Sequence, residues 1–140
     1  MILLDTNVIS EMMRPQPDEV VLAWIARQLT QDIYTTSITK AEIFYGIALL
    51  PDGRRKRSLL FNAQRMFIED FGGRVLPFDE DTATHFAEIA AGRRRAGASF
   101  DVPDMQIAAI ALATGASVAT RNVDDFAGCG VAIVNPWVEV

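Results

Sequence analysis

The sequence predicts an α/β fold: one three-layer domain over residues 1–140, with a central, mostly parallel sheet covered by helices on both faces. Three observations predict it. The apolar runs that read as strands are short and lack the alternation of half-exposed antiparallel strands. They alternate along the chain with segments of helical periodicity, as βα units do. Finally, 140 residues, half of them hydrophobic and 22% charged, suffice to bury one core without disulfides or a structural metal.

Ile2-Leu3-Leu4 is the first strand, and Val8–Met13 a short helix stopped by Arg14-Pro15-Gln16-Pro17. Asp18 is placed to cap a helix whose apolar face carries Val20, Val21, Trp24, Ile25 and Leu29. Ile33-Tyr34-Thr35-Thr36 is a second strand. A helix runs from Thr39 to about Leu50, and Pro51-Asp52-Gly53 separates it from a longer one striped by Leu59, Leu60, Ala63, Met66 and Phe67. Gly72-Gly73 ends that helix. Val75-Leu76 with Phe78 is a third strand, followed by a helix from Asp79 to about Ala96 with Ala83, Phe86, Ile89 and Ala90 inward and Gly97 at its C′ position. Met105–Ala113 is apolar almost all round and so belongs to a helix buried on more than one side. After Gly115, Val118-Ala119 and Val131–Val134 complete the strand set.

Four acids stand where one element should give way to the next: Asp5, Glu42, Asp104 and Asp125. If the strands are parallel, their carboxyl ends share one edge, where open α/β sheets bind ligands. Clustered carboxylates raise one another's pKa, and a protein keeps such a cluster when a cation fills it. Each acid also has a purely structural reading. Asp5 suits a turn or an N-cap. Thr39-Lys40-Ala41-Glu42 fits a capping box. Asp104, just after Pro103, favours a helix dipole whether or not it binds anything.

Other chemistries are poorly supplied. His85, the sole histidine, lies mid-helix, away from any strand end, and Cys129 has no histidine partner in sequence. There is no P-loop and no glycine run after the first strand. An oxygen-only ligand set points to Mg²⁺ or Mn²⁺, ions that usually act on phosphates.

A net charge of −5 argues against nucleic acid at first sight. The distribution matters more: Arg54-Arg55-Lys56-Arg57 and Arg93-Arg94-Arg95 hold seven of the 13 basic residues, either as solvated helix faces or as a basic rim for RNA. One cysteine, no signal-peptide pattern at the N-terminus and no apolar run of membrane-spanning length suit a cytoplasmic chain without a membrane partner.

Leu3-Leu4-Asp5-Thr6-Asn7-Val8-Ile9, Ala41-Glu42-Ile43, Pro103–Ala109 and Ala119–Phe126, with the ending Val134-Asn135-Pro136-Trp137, together resemble the PIN-domain ribonucleases. Within them the chain is most similar to the VapC toxins of bacterial toxin–antitoxin pairs, in the FitB-like branch. The resemblance spans essentially the whole chain. It implies a PIN domain over 1–140 acting as a Mg²⁺- or Mn²⁺-dependent endoribonuclease on transfer or ribosomal RNA. It also implies inhibition by a VapB-like antitoxin, and a homodimer that joins the antitoxin in a higher assembly. Asp5, Glu42 and Asp104 map onto the acidic metal positions, with Thr6, Asn7 and Thr120 as supporting polar groups. At the fourth position some relatives carry an acid where this chain has Asn122, and others the acid that is here Asp125. The expectation is Asp125, with Asn122 assisting. A phosphatase of the haloacid-dehalogenase pattern would want a second aspartate at Asn7, and a receiver domain a lysine where Arg121 stands. The remaining rival is a non-catalytic interaction module, whose case rests on the neutral Asn122.

Overall fold

The computed structural model describes residues 1–138. Five strands, β1 (Ile2–Leu4), β2 (Ile33–Thr36), β3 (Val75–Leu76), β4 (Ser117–Ala119) and β5 (Ile133–Val134), form one sheet in the order β3-β2-β1-β4-β5. Every pairing is parallel, with Leu4 beside Ala119, Ile2 beside Ile33, Thr36 beside Leu76 and Val118 beside Ile133. From β1 the chain moves outward to β2 and β3, then returns to lay β4 against the other side of β1. The topological switch point therefore lies between β1 and β4, and the crevice of such a sheet opens outside the carboxyl ends of those two strands.

Helices α1 (Thr6–Met12), α2 (Glu19–Ala26), α3 (Ser37–Ala48) and α4 (Arg54–Arg65) follow in the first half of the chain; α5 (Glu80–Arg95), α6 (Val102–Thr114) and the single turn α7 (Val123–Phe126) in the second. Strand side chains alternate between faces. Leu4 and Ala119 accordingly join a core with Val8, Ile9, Val21, Trp24, Ile43, Ile47, Ala63 and Phe67, whereas Leu3 and Val118 join another with Ile89, Met105, Ile107, Ala108, Ile110 and Phe126. Two cores on opposite faces of one sheet make the three layers expected from sequence. Helix α6 is buried at Met105 and at Ile107 through Ala111, which is why it shows no polar face. No described helix is long and apolar enough to cross a membrane.

Several boundaries differ from the sequence reading. Helix α1 starts at Thr6, capped by Asp5, and α3 starts at Ser37, capped by Thr36. Helix α2 ends at Ala26, so Leu29 lies beyond it and is exposed. Phe78 lies outside β3 and Val131 outside β5, because only two residues of each edge strand find ladder partners. On α5 the buried residues are Thr82 and Ile89; Ala83 is exposed. The Asp79 carboxylate accepts from both the amide and the hydroxyl of Thr82 and so caps the start of α5. After α4 the chain continues through a five-residue π-helical turn, Met66–Asp70, that buries Met66 and Phe67. Gly97, in left-handed conformation, ends α5 as expected: the Gly97 and Ala98 amides close onto the carbonyls of Arg94 and Arg93.

Candidate metal centre

Asp5 leaves β1 with its amide still bonded to the Ala119 carbonyl of β4, so the sheet ladder sets its position. It is 3% exposed. One carboxylate oxygen accepts from the Thr6 amide at 2.7 Å, and the other from the Thr120 hydroxyl at 2.8 Å and the Asn7 amide group at 3.3 Å. The Thr120 hydroxyl in turn accepts from the Asn122 backbone amide at 3.0 Å. The Asn7 side-chain carbonyl accepts from the Arg121 amide at 3.2 Å. This network ties β1 to β4 across the switch point. Burial pushes the Asp5 carboxyl above the usual range; the bonds from Thr120 and Thr6 oppose the rise, and the charges of Glu42 and Asp125 add to it.

Glu42 does not close a capping box. Thr36, one turn before the expected cap, accepts from the Thr39 amide at 3.1 Å, so Glu42 is not needed at the helix start. Its carboxylate instead accepts from the Thr6 hydroxyl at 2.7 Å, which turns it toward Asp5. The local pattern Thr-x-x-Glu competed with a tertiary partner, and the partner won.

Asp104 lies in the first turn of α6, after Pro103. Its carboxyl is raised to about 7 by burial first, and then by Asp5, Asp101, Asp125 and Glu42; among the described residues no hydrogen bond or cation offsets them. At pH 7 such a carboxyl is only about half ionised, and a cation beside it would draw it into the charged form.

Asp5, Glu42, Asp101 and Asp104 line one open cleft of about 540 Å³ with Thr6, Asn7 and Asn122. Asp125 is not among its lining residues; its charge is nevertheless felt at Asp5 and Asp104. His85 and Cys129 stand apart from it. The basic runs divide. Arg54 and Arg55 line a larger neighbouring groove, and Arg57, Arg94 and Arg95 are exposed away from both cavities. The Arg93 guanidinium donates to the carbonyls of Ala127 at 2.7 Å and Ser99 at 3.1 Å, a clasp between the end of α5 and two loops. Arg14 and Arg121, isolated in sequence, are the arginines at the cleft, together with Trp137. No local pattern marks them, because they arrive from separate segments.

The PIN-domain family model matches residues 2–128. The chain belongs to the PIN-domain family. Within it the chain stands with the VapC-type toxins and FitB. It is 43% identical to Toxin FitB of Neisseria gonorrhoeae, with 98% of this chain and 99% of that one covered. It is 41% identical to VapC ribonuclease Y4jK of Sinorhizobium fredii, covering 98% of each. The structure of FitAB bound to an IR36 DNA fragment matches with a TM-score of 0.93 at 42% identity, over 100% of this chain and 98% of that one.

A divalent ion fits the donor set of this PIN cleft. The donors are hard oxygens, and ionising Asp104 is opposed by burial and by four neighbouring acids, a cost that a bound cation would offset. Among the described residues no three acidic, histidine or cysteine side chains form a ready-made chelating group. Mg²⁺ does not require one, since it keeps several waters and takes one or two carboxylates directly. The fourth position is tested by moving charge. Two unit charges at 4 Å gain about 1 kcal/mol even in water and a divalent ion about twice that, so Asn122→Asp, adding a carboxylate to the cleft, should tighten Mn²⁺ binding by roughly tenfold or more. Asp125→Asn should weaken it, because the charge of Asp125 already reaches Asp5 and Asp104. Calorimetric titration checks both, and a negligible effect at Asp125 would take the fourth position from that residue.

Proposed function

We propose that this chain is the toxin of a type II toxin–antitoxin pair, a Mg²⁺- or Mn²⁺-dependent endoribonuclease that cleaves structured RNA of the transfer or ribosomal class. The observation that carries the reading is the half-buried, uncompensated Asp104 beside Asp5 and Glu42 at the switch point. Asp5, Glu42 and Asp104 would hold the ion, with Asp125 completing the set and Asn122 assisting. When bound, such an ion acidifies water and offsets the charge that builds on a phosphate under attack. The chain's own residues do the positioning. Thr120 and Thr6 hold Asp5 and Glu42 in place. Arg14 and Arg121 flank the acids with cations that can hold phosphates of the strand. Arg54 and Arg55 extend that positive edge along the neighbouring groove.

The groove also supports the partner assignment. It measures about 1030 Å³ and shares Thr6, Ser10, Arg14 and Glu42 with the cleft, and its walls include Met13, Ile43, Ile47, Leu50 and Leu59. An antitoxin segment that lays an apolar helix in the groove and sends an arginine to the acids would block the site by charge-assisted bonds. FitAB itself is seen bound to DNA, and a VapB-like partner for this chain belongs to the same proposal. So does a homodimer, for which Tyr45, Leu49, Phe61 and Ile68, each more than 60% exposed, offer apolar surface. The compartment expected for this pair is the cytoplasm.

The test is cleavage of cellular RNA by the purified chain. Discrete new ends are expected with Mg²⁺ or Mn²⁺ and none after chelation, with activity restored on adding the ion back. Cleavage that persists in chelator would remove the metal from the proposal. Antitoxin binding without any cleavage would leave an interaction module built on the same fold.

A further inference from the structure

Arg121 and Trp137 form a feature of the cleft that holding a metal does not require. The Arg121 guanidinium lies over the Trp137 ring, 5.0 Å from its centroid. Among the described residues the ion pairs are made by Arg14, Lys56 and Arg65, and Arg121 joins none, although several carboxylates line the same cleft. Both partners are held from behind. The Arg121 amide donates to Asn7 in the network around Asp5, and Arg121 directly follows Thr120, whose hydroxyl holds that acid. The Trp137 amide donates to the Asn135 side chain at 3.0 Å, in a turn next to the buried Pro136, and part of its ring packs on the core beneath α1 to α4. The result is a planar cation, fixed at its root, on an aromatic plate beside the acids.

A guanidinium on an aromatic ring offers a flat face to a nucleobase and N–H edges to a phosphate. We propose that Arg121 and Trp137 form a stacking site for one unpaired base of single-stranded RNA, next to the acids that would hold the ion. This site sets which nucleotide step enters the cleft. The inference rests on the ribonuclease reading and adds to it a residue pair that governs register.

The experiment uses short single-stranded RNAs in Ca²⁺, each with one abasic position, read by affinity and by the fluorescence of Trp137 in a Trp24→Phe background. Trp24 is buried in the core, 5% exposed, and would otherwise add a constant signal. A stacked base contributes enough that its loss should weaken binding by about 5- to 100-fold. One abasic position is expected to show that loss and to abolish the quenching of Trp137. Arg121→Ala should weaken the intact RNA by a similar factor and make that abasic position silent. Arg121→Lys, which keeps the charge and loses the plane, should bind the intact RNA more weakly than the unaltered chain and make that abasic position silent, as Arg121→Ala does. Trp137→Phe should retain part of the effect. If Arg121→Lys binds as the unaltered chain does, or if no abasic position depends on Arg121, the stacking site is overturned while RNA binding stands. If the unaltered chain binds none of these short RNAs, the stacking site is overturned, and the ribonuclease reading is decided by the cleavage of cellular RNA.

Discussion

Asp104→Asn is expected to lower RNA cleavage by at least about a hundredfold, the scale on which single electrostatic groups act in catalysis, while leaving the metal-free protein as stable as before or more so. Activity and stability separate because Asp104 is held at a cost. Its carboxyl sits at about 7 against an ordinary 3.8, raised by burial and then by its acidic neighbours. Between those two values the folded chain keeps a proton that the unfolded chain has lost. Stability of the metal-free protein should therefore fall as pH rises from about 4 to 7, with the full penalty above 7. After discounting for the solvent that screens a half-exposed group, the fall should be about 1–2 kcal/mol. Asp104→Asn should reduce that slope, leaving the part owed to Asp5, whose carboxyl is also raised, as followed by urea denaturation in chelator at pH 5 and pH 8. Divalent ions select the ionised carboxylate, so their affinity should rise over the same interval. A variant that is clearly destabilised yet still cleaves RNA would make Asp104 a helix-start residue and nothing more.

Phe126→Ala should cost about 3–5 kcal/mol of folding free energy, the range for emptying a buried aromatic site. Phe126 has no exposed surface and packs among Leu3, Met105, Ile107 and Val118. It is also the anchor of α7, a single turn that could not persist alone and whose preceding Asn122 makes no side-chain cap. That turn carries Asp125, and Asn122 at its head lines the cleft, so cleavage should fall together with stability. Phe126→Leu, which refills most of the volume, should recover the greater part of both. The urea midpoint and the cleavage rate, measured on the same preparations, check this. A loss below about 1 kcal/mol would show that the surrounding residues collapse into the space.

Much of the architecture was legible in the sequence because its determinants are local. Strand and helix periodicities, the prolines after α1, and the glycines after α5 and α6 act over a few residues through sterics and hydrogen bonding. Asp5 and Asp104 could be singled out for the same reason: one ends a strand and the other begins a helix. Glu42 shows the limit. Its neighbours fit a capping box, and only the fold reveals that Thr36 caps the helix while Thr6, 36 residues away, orients the carboxylate. The basic runs show it too, since Arg93, Arg94 and Arg95 look alike in sequence and only Arg93 becomes a clasp.

The sequence by itself determined the kinds of element, their order and the oxygen-only chemistry available to them. Tertiary structure decided which residues meet. Strand order places β4 beside β1, so Thr120 reaches Asp5 across 115 positions of chain, and Arg121, Trp137 and Arg14 arrive at one cleft from three separate segments. The reason is physical. Local preferences set φ and ψ residue by residue, whereas a site depends on how apolar faces pack across the whole sheet, and that arrangement is a property of the assembled cores and of no short stretch of chain.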